Sequence, residues 1–193
     1  MHASLDECAD LVAELLDGPC DLGGYSFGGR VALHVALRHP ALVARLVLLS
    51  ATRGIADEAL RAERRRQDET LANRIEAIGV EAFLDEWLAQ PLFADLPVDP
   101  VERDSRSRDP YGLAESLRRC GTGTQDWLGN RLGGVRAPTL TVAGELDHKF
   151  REEAVAIATG VHVGVTEVIA NVGHAAHLAQ PDVTARTFNR FLN

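Results

Sequence analysis

The stretch GGYSFGGRVAL, residues 23–33, constrains the fold more than any other part of the sequence. Its G-x-S-x-G pattern, centred on Ser26, lies between a short predicted strand and a segment with helical periodicity. This arrangement is typical of a sharp turn that projects a reactive serine hydroxyl above a sheet. We expect Gly24 and Gly28 both to be required, because side chains two positions from the serine would collide. The amide of Phe27, at the start of the helix, is expected to face a developing oxyanion.

The partners that such a serine needs follow in the order acid and then histidine. Asp147 ends the apolar segment TLTVAGELD, and His174 follows the next predicted strand, TEVIANV. The carboxyl ends of parallel strands share one edge of a sheet, so Ser26, Asp147 and His174 are expected to form a catalytic triad there. Taken singly, Asp147 would also suit a strand-terminating turn and His174 a surface loop. Their occurrence together, in this order, favours the triad.

The periodicities outside this turn predict an α/β fold with a mostly parallel sheet, because strands alternate with helices. From about residue 56 to residue 132 only helical segments and loops occur, and Gly79 separates the first two of these segments. We interpret this middle part as a helical lid inserted between two strands. The predicted division is an N-terminal part of the α/β core with the serine turn (1–55), a helical lid (56–132) and a C-terminal part of the core (133–193).

Charge and composition exclude several classes of protein. A formal net charge of −8 disfavours nucleic acid or an anionic membrane as a partner. No run approaches the roughly 18 apolar residues of a membrane span, and the polar start does not resemble a signal peptide. The three cysteines, Cys8, Cys20 and Cys120, have neither disulfide-framework nor zinc-site spacing. We expect a cytoplasmic protein without membrane contact, either a monomer or a weak homo-oligomer.

Arginine dominates the basic residues, since Lys149 is the only lysine. Most of these arginines suit a solvated helix face. Arg30 would also suit a solvated surface position, but it follows Ser26 by about one helical turn, and both side chains can face one cavity. It also opposes the dipole at the helix N-terminus, at a cost of some tenths of a kcal/mol. A guanidinium beside a reactive oxygen indicates a small anionic substrate that carries a carboxylate.

Six segments together resemble one known family: GYSFGGR, RAERRR, FLDEWLAQPLF, GLAESLRRCGTGTQ, GELDHKF and GHAAHLAQP. They resemble the α/β-hydrolase-fold 2-succinyl-6-hydroxy-2,4-cyclohexadiene-1-carboxylate synthases of menaquinone biosynthesis, from about Leu5 to the C-terminus. The resemblance implies a lyase that eliminates pyruvate from 2-succinyl-5-enolpyruvyl-6-hydroxy-3-cyclohexene-1-carboxylate, with Ser26 as a triad-activated base. It implies no metal and no organic cofactor. It also implies substrate contacts for Arg30, Arg64, Trp87, and either Arg106 or Arg108.

The sequence departs from this family upstream of Gly24. Members have further strands there, with a His-Gly turn whose following amide is the second oxyanion donor. This motif does not occur here, so we expect the N-terminal strands to be absent and the sheet edge to be open. Loss of one such donor typically lowers the rate by about 10²–10³. Two alternatives to the lyase follow: a hydrolase of esters or C–C bonds with a serine nucleophile, and a truncated inactive form.

Overall fold

The computed structural model describes residues 4–90 and 108–193, which form two compact units. The core unit comprises residues 5–53 and 128–193, and the helical unit comprises Ser4 and the described part of 54–127. The boundaries of the three parts expected from the sequence stay a prediction.

The core unit contains a parallel sheet, which has four strands in the order β1-β2-β3-β4 within the described residues. The predicted α/β architecture with a parallel sheet is therefore confirmed. Its strands are β1 (Cys20–Tyr25), β2 (Val43–Leu49), β3 (Thr139–Gly144) and β4 (Gly164–Ile169). Its α-helices are α1 (Leu5–Glu14), α2 (Phe27–Arg38), α5 (His148–Gly160), α6 (Ala176–Ala179) and α7 (Pro181–Leu192), with 3₁₀ turns at Pro40–Leu42 and Leu132–Gly134.

Strand β2 shows why the sheet is buried on both faces. Its Val47 and Leu49 side chains pack on one face with Val142 and with residues of α6 and α7. Successive strand residues point to opposite faces, so Leu46 and Leu48 lie on the other face, where α2 contacts the strand. The continuous apolar run in this segment is thus explained by helices on both sides of a parallel sheet.

Strand β1 is the outermost strand on its side of the described sheet. Leu22 and Gly23 line an apolar cavity of about 340 Å³ on the α7 face and another of about 430 Å³ on the α1 and α2 face. The absence of further N-terminal strands stays a prediction.

The helical unit contains α3 (Glu58–Leu88) and α4 (Pro110–Cys120). Gly79 interrupts α3 with φ 75° and ψ 167°, so the predicted break between two helical segments is confirmed. A left-handed φ of this kind favours glycine. The two parts of α3 pack with α4 around an apolar cluster that includes Ile75, Phe83 and Leu84. None of the described helices combines the length and apolar character of a membrane span.

Charged side chains fasten α1 to α2. Arg38 donates from Nη1 to Asp6 Oδ2 at 2.9 Å and from Nη2 to Asp10 Oδ2 at 2.6 Å, while His39 Nε2 lies 2.7 Å from Asp10 Oδ1. The Arg38 hydrogen bond, followed by that of His39, lowers the pKa of Asp10 to about 2. His34 Nδ1 lies 2.7 Å from Asp6 Oδ1, yet burial lowers the pKa of His34 because it outweighs the opposing effect of Asp6.

The lowered pKa of His34 predicts a pH-dependent stability. Below about pH 6.5 His34 takes up a proton in the unfolded chain, whereas the folded chain binds this proton more weakly. The stability that depends on neutral His34 is therefore complete above that pH and is lost as the pH falls. We expect the free energy of unfolding to decrease by at most about 1.4 kcal/mol per pH unit from this group. His34→Gln should reduce the slope, as measured by urea denaturation between about pH 5 and 7.5.

The exposed His162 of the same unit provides the matched control. His162→Gln should leave the slope as in the wild type. Equal slopes in the wild type and His34→Gln would contradict the assignment to His34.

Candidate active site

The predicted serine turn joins β1 to α2. Ser26 has φ 49° and ψ −107°, a backbone conformation that residues other than glycine rarely adopt. Its amide donates to the carbonyl of Leu49 in β2 at 2.8 Å, which ties the turn to the neighbouring strand. Such strain persists only where surrounding contacts impose it, and it is frequent at active sites.

The two glycines of the pattern have different roles. A Cβ at Gly24 would lie 2.3 Å from the carbonyl oxygen of Gly28, so the start of α2 can cross β1 only at a residue without a side chain. A Cβ at Gly28 would meet no atom within 4 Å, so the expected collision there is wrong. The second close approach falls on Gly29, whose Cβ would lie 2.7 Å from that of Ala51. Gly29, rather than Gly28, therefore lies on the face of α2 that packs against the sheet.

The structure brings Ser26, His174 and Asp147 together. His174 Nε2 lies 3.0 Å from Ser26 Oγ, and His174 Nδ1 lies 2.7 Å from Asp147 Oδ2. The side chains of His174 and Asp147 are each only 5% exposed. Their hydrogen bond is therefore stronger than the same bond would be in water. An ionised carboxylate only accepts, so Nδ1 carries the proton and Nε2 of the neutral ring can accept from the serine hydroxyl.

Asp147 lies beyond the end of its strand rather than at its last position. Strand β3 ends at Gly144, and the Asp147 amide donates to the Gly144 carbonyl at 3.1 Å in the following turn. Asp147 then caps α5, with Oδ1 accepting from the Phe150 amide at 3.3 Å. One oxygen of Asp147 therefore caps the helix, and the other holds the imidazole.

Two aromatic rings lie close to the imidazole of His174, and neither residue was singled out from the sequence. The Tyr25 and Phe150 ring centroids lie 5.3 Å and 4.5 Å from that of His174. His177 lies in α6 with its ring 4.3 Å from that of Tyr25. Tyr25 precedes the serine and Phe150 lies in the first turn after Asp147, so proximity to the triad residues was the available signal.

Phe27 and Arg30 lie in the first turn of α2. Phe27 is the first helical residue, so its amide belongs to the N–H groups that have no acceptor within the helix. Arg30 is 9% exposed, and its Cζ lies 5.3 Å from the centroid of the Phe27 ring. A buried guanidinium against an aromatic face differs from the solvated arginine that was the alternative. Their functional roles stay predictions.

The remaining predicted substrate contacts belong to the helical unit. Arg64 donates from Nε to Oδ1 of the buried Asp68 at 2.7 Å, and Trp87 stacks on Phe83 at 5.7 Å between ring centroids. Arg108 Nε lies 3.8 Å from Glu81 Oε1. Arg106 lies outside the described residues.

Comparison with known proteins places this geometry in a family. A family model described as "Alpha/beta hydrolase family" matches residues 2–187. The chain belongs to the alpha/beta hydrolase family. The turn at Ser26, with its acid and histidine at the same sheet edge, agrees with the order of functional residues in this family.

Particular members of the alpha/beta hydrolase family are closely similar to the chain. A Bacillus subtilis (strain 168) protein with the provisional name 2-succinyl-6-hydroxy-2,4-cyclohexadiene-1-carboxylate synthase is 34% identical over 97% of this chain and 71% of its own length. A synthase of the same name from Yersinia pestis bv. Antiqua (strain Nepal516) is 35% identical over 89% of this chain. The solved structure of MenH from S. aureus has a TM-score of 0.91 at 34% identity, covering 98% of this chain and 75% of its own.

The resemblance read from the sequence is thus confirmed by named relatives and by a solved structure. The chain spans 71% of the length of the first curated relative and 63% of the second.

The contrast between Gly24 and Gly28 predicts unequal effects of adding one methyl group. Gly24→Ala should lower the free energy of unfolding by about 2–3 kcal/mol, because the clash is with backbone atoms that cannot move aside. Gly28→Ala should change it by less than about 1 kcal/mol, because alanine favours the helix and the space is open. Urea denaturation of the two variants measures this difference, and equal destabilisation would contradict it.

Proposed function

We propose that the chain is a lyase of the 2-succinyl-6-hydroxy-2,4-cyclohexadiene-1-carboxylate synthase type, which eliminates pyruvate from 2-succinyl-5-enolpyruvyl-6-hydroxy-3-cyclohexene-1-carboxylate. The observation that carries the proposal is the hydrogen-bonded series Ser26–His174–Asp147, at 3.0 and 2.7 Å, in a chain whose relatives bear that name. No metal or organic cofactor takes part in the proposed reaction.

In the proposed reaction His174 accepts the Ser26 hydroxyl proton at Nε2, and Asp147 stabilises the resulting imidazolium through Nδ1–H. The serine oxygen then removes a proton from the substrate ring. The electron pair of that C–H bond forms the C2=C3 double bond, the existing C3=C4 double bond shifts to C4=C5, and the C5–O bond to the enolpyruvyl group breaks with its electron pair on oxygen. The released enolpyruvate becomes pyruvate by gaining a proton, and Ser26 and His174 return to their starting protonation states.

Charge that develops on the substrate during this step needs a fixed donor. The Phe27 amide at the N-terminus of α2 is suited to this role, because it has no acceptor within the helix and the helix dipole favours an anion there. A backbone donor already held in place costs little reorganisation when charge appears.

The carboxylates of the substrate explain the arginines. Arg30, four residues after Ser26, would bind one of them with a guanidinium held against the Phe27 ring. Arg64 is already oriented through Nε by the buried Asp68, so its Nη groups would be presented to an anion. Trp87 and either Arg106 or Arg108 complete the proposed contacts, on the resemblance alone. A substrate of this kind also suits the proposed cytoplasmic location.

Pyruvate release from the purified substrate tests this proposal. Ser26→Ala should lower kcat by about 10³-fold or more, because the triad loses its reactive oxygen. Arg30→Ala should lower kcat/KM by about 10- to 100-fold, the usual effect of removing a hydrogen bond to a charged group. Arg136→Ala, which removes an exposed guanidinium before the amino end of β3, is the matched control and should retain wild-type activity.

A different set of results would favour the hydrolase. Rapid turnover of a neutral aryl ester through an acyl group on Ser26, without pyruvate release from the anionic substrate, would contradict the lyase. Folded protein with neither activity would indicate an inactive form.

A further inference from the structure

A second serine, Ser50, lies at the same edge of the sheet as Ser26. It directly follows β2 and is 1% exposed. Its hydroxyl donates to the backbone carbonyl of His174 at 2.8 Å. This bond joins the end of β2 to the loop that carries the imidazole, 124 residues later in the chain.

The backbone conformation at Ser50 is unfavourable for a residue with a side chain. Its φ of 49° lies in the left-handed region, which glycine adopts without steric cost and serine does not. The side chain that causes this cost also contributes the hydroxyl that binds the His174 carbonyl. The geometry therefore combines an unfavourable backbone conformation with one specific use of the side chain.

Backbone hydrogen bonds connect the segment at Ser50 to the serine turn and to β3. The Ser26 amide donates to the carbonyl of Leu49, and the Ser50 amide donates to the carbonyl of Val142 in β3, both at 2.8 Å. The serine turn, the end of β2 and the His174 loop are consequently connected by successive short bonds. A displacement of the His174 backbone at this point would change the distance from Nε2 to Ser26 Oγ.

We propose that Ser50 is a positioning residue for His174: its hydroxyl holds the His174 backbone so that the imidazole is aligned with Ser26. This role rests on the proposed function of the triad. Ser50 itself does not contact the reacting atoms in this role, and Asp147 continues to orient the ring through Nδ1.

Labelling of Ser26 by a fluorophosphonate tests the alignment without the natural substrate. The second-order rate of labelling, followed by mass spectrometry, depends on activation of Ser26 by His174. Ser50→Ala and Ser50→Gly should each lower this rate by about 10-fold or more, because both lack the hydroxyl and small misplacements are costly. Ser50→Gly should nevertheless have a higher Tm than Ser50→Ala, because glycine relieves the backbone strain.

The pair of variants separates positioning from a merely structural role. A structural role would make the labelling rate follow the Tm, so Ser50→Gly labelled at the wild-type rate would overturn the proposal. Thr139→Val is the matched control, because it removes a buried hydroxyl bond to the Ala137 carbonyl at the opposite end of the strands, and it should be labelled as the wild type is.

Wild-type protein sets the reference for the proposed triad. Absence of labelling at Ser26 in folded wild-type protein would overturn the triad, and the positioning role with it. Labelling of the wild type and of both Ser50 variants at one rate would overturn only the role of Ser50.

Discussion

The arrangement of the site depends on the register of the parallel strands. Tyr25 of β1 pairs with Leu49 of β2, and Leu49 pairs with Val142 of β3, so the residues after β1 and β2 emerge at one level. Strand β3 continues for two more residues, and the following turn brings Asp147 to the start of α5. Asp147 contacts Nδ1 of the imidazole, whereas Ser26 contacts Nε2.

Close packing of α2 against the sheet holds the strained turn at Ser26 in place. The backbone of α2 approaches β1 so closely that Gly24 has no space for a side chain, and Gly29 is similarly close to Ala51. These contacts hold the start of the helix against the sheet, and the Ser26 amide is bound to β2 at the same point. Surrounding contacts therefore offset a conformation that Ser26 would not adopt by itself. At the far side of α2, the ion pairs of Arg38 with Asp6 and Asp10 add electrostatic attraction at the surface.

A triad of this geometry can serve acyl transfer or proton abstraction, so the triad alone does not select the reaction. The distinction rests on the residues that are proposed to bind the substrate. A neutral ester has no carboxylate for Arg30 or Arg64, whereas the substrate of the proposed lyase has several. The similarity to named synthases, at 34 and 35% identity, supports the same choice. The fold is shared by the whole alpha/beta hydrolase family, and the buried Arg30, four residues after Ser26, is the more specific feature.

The sequence by itself determined the α/β class, the turn at Ser26, the order of its partners and the break at Gly79. Each of these rests on local periodicity, or on a residue type that one conformation requires. Only the tertiary structure decided that Gly29 rather than Gly28 meets the sheet, and that Phe150 and Ser50 lie against His174. These contacts join residues distant in the chain, and they depend on helix rotation and strand register. Neither quantity is encoded in any single segment, because both result from packing the whole core.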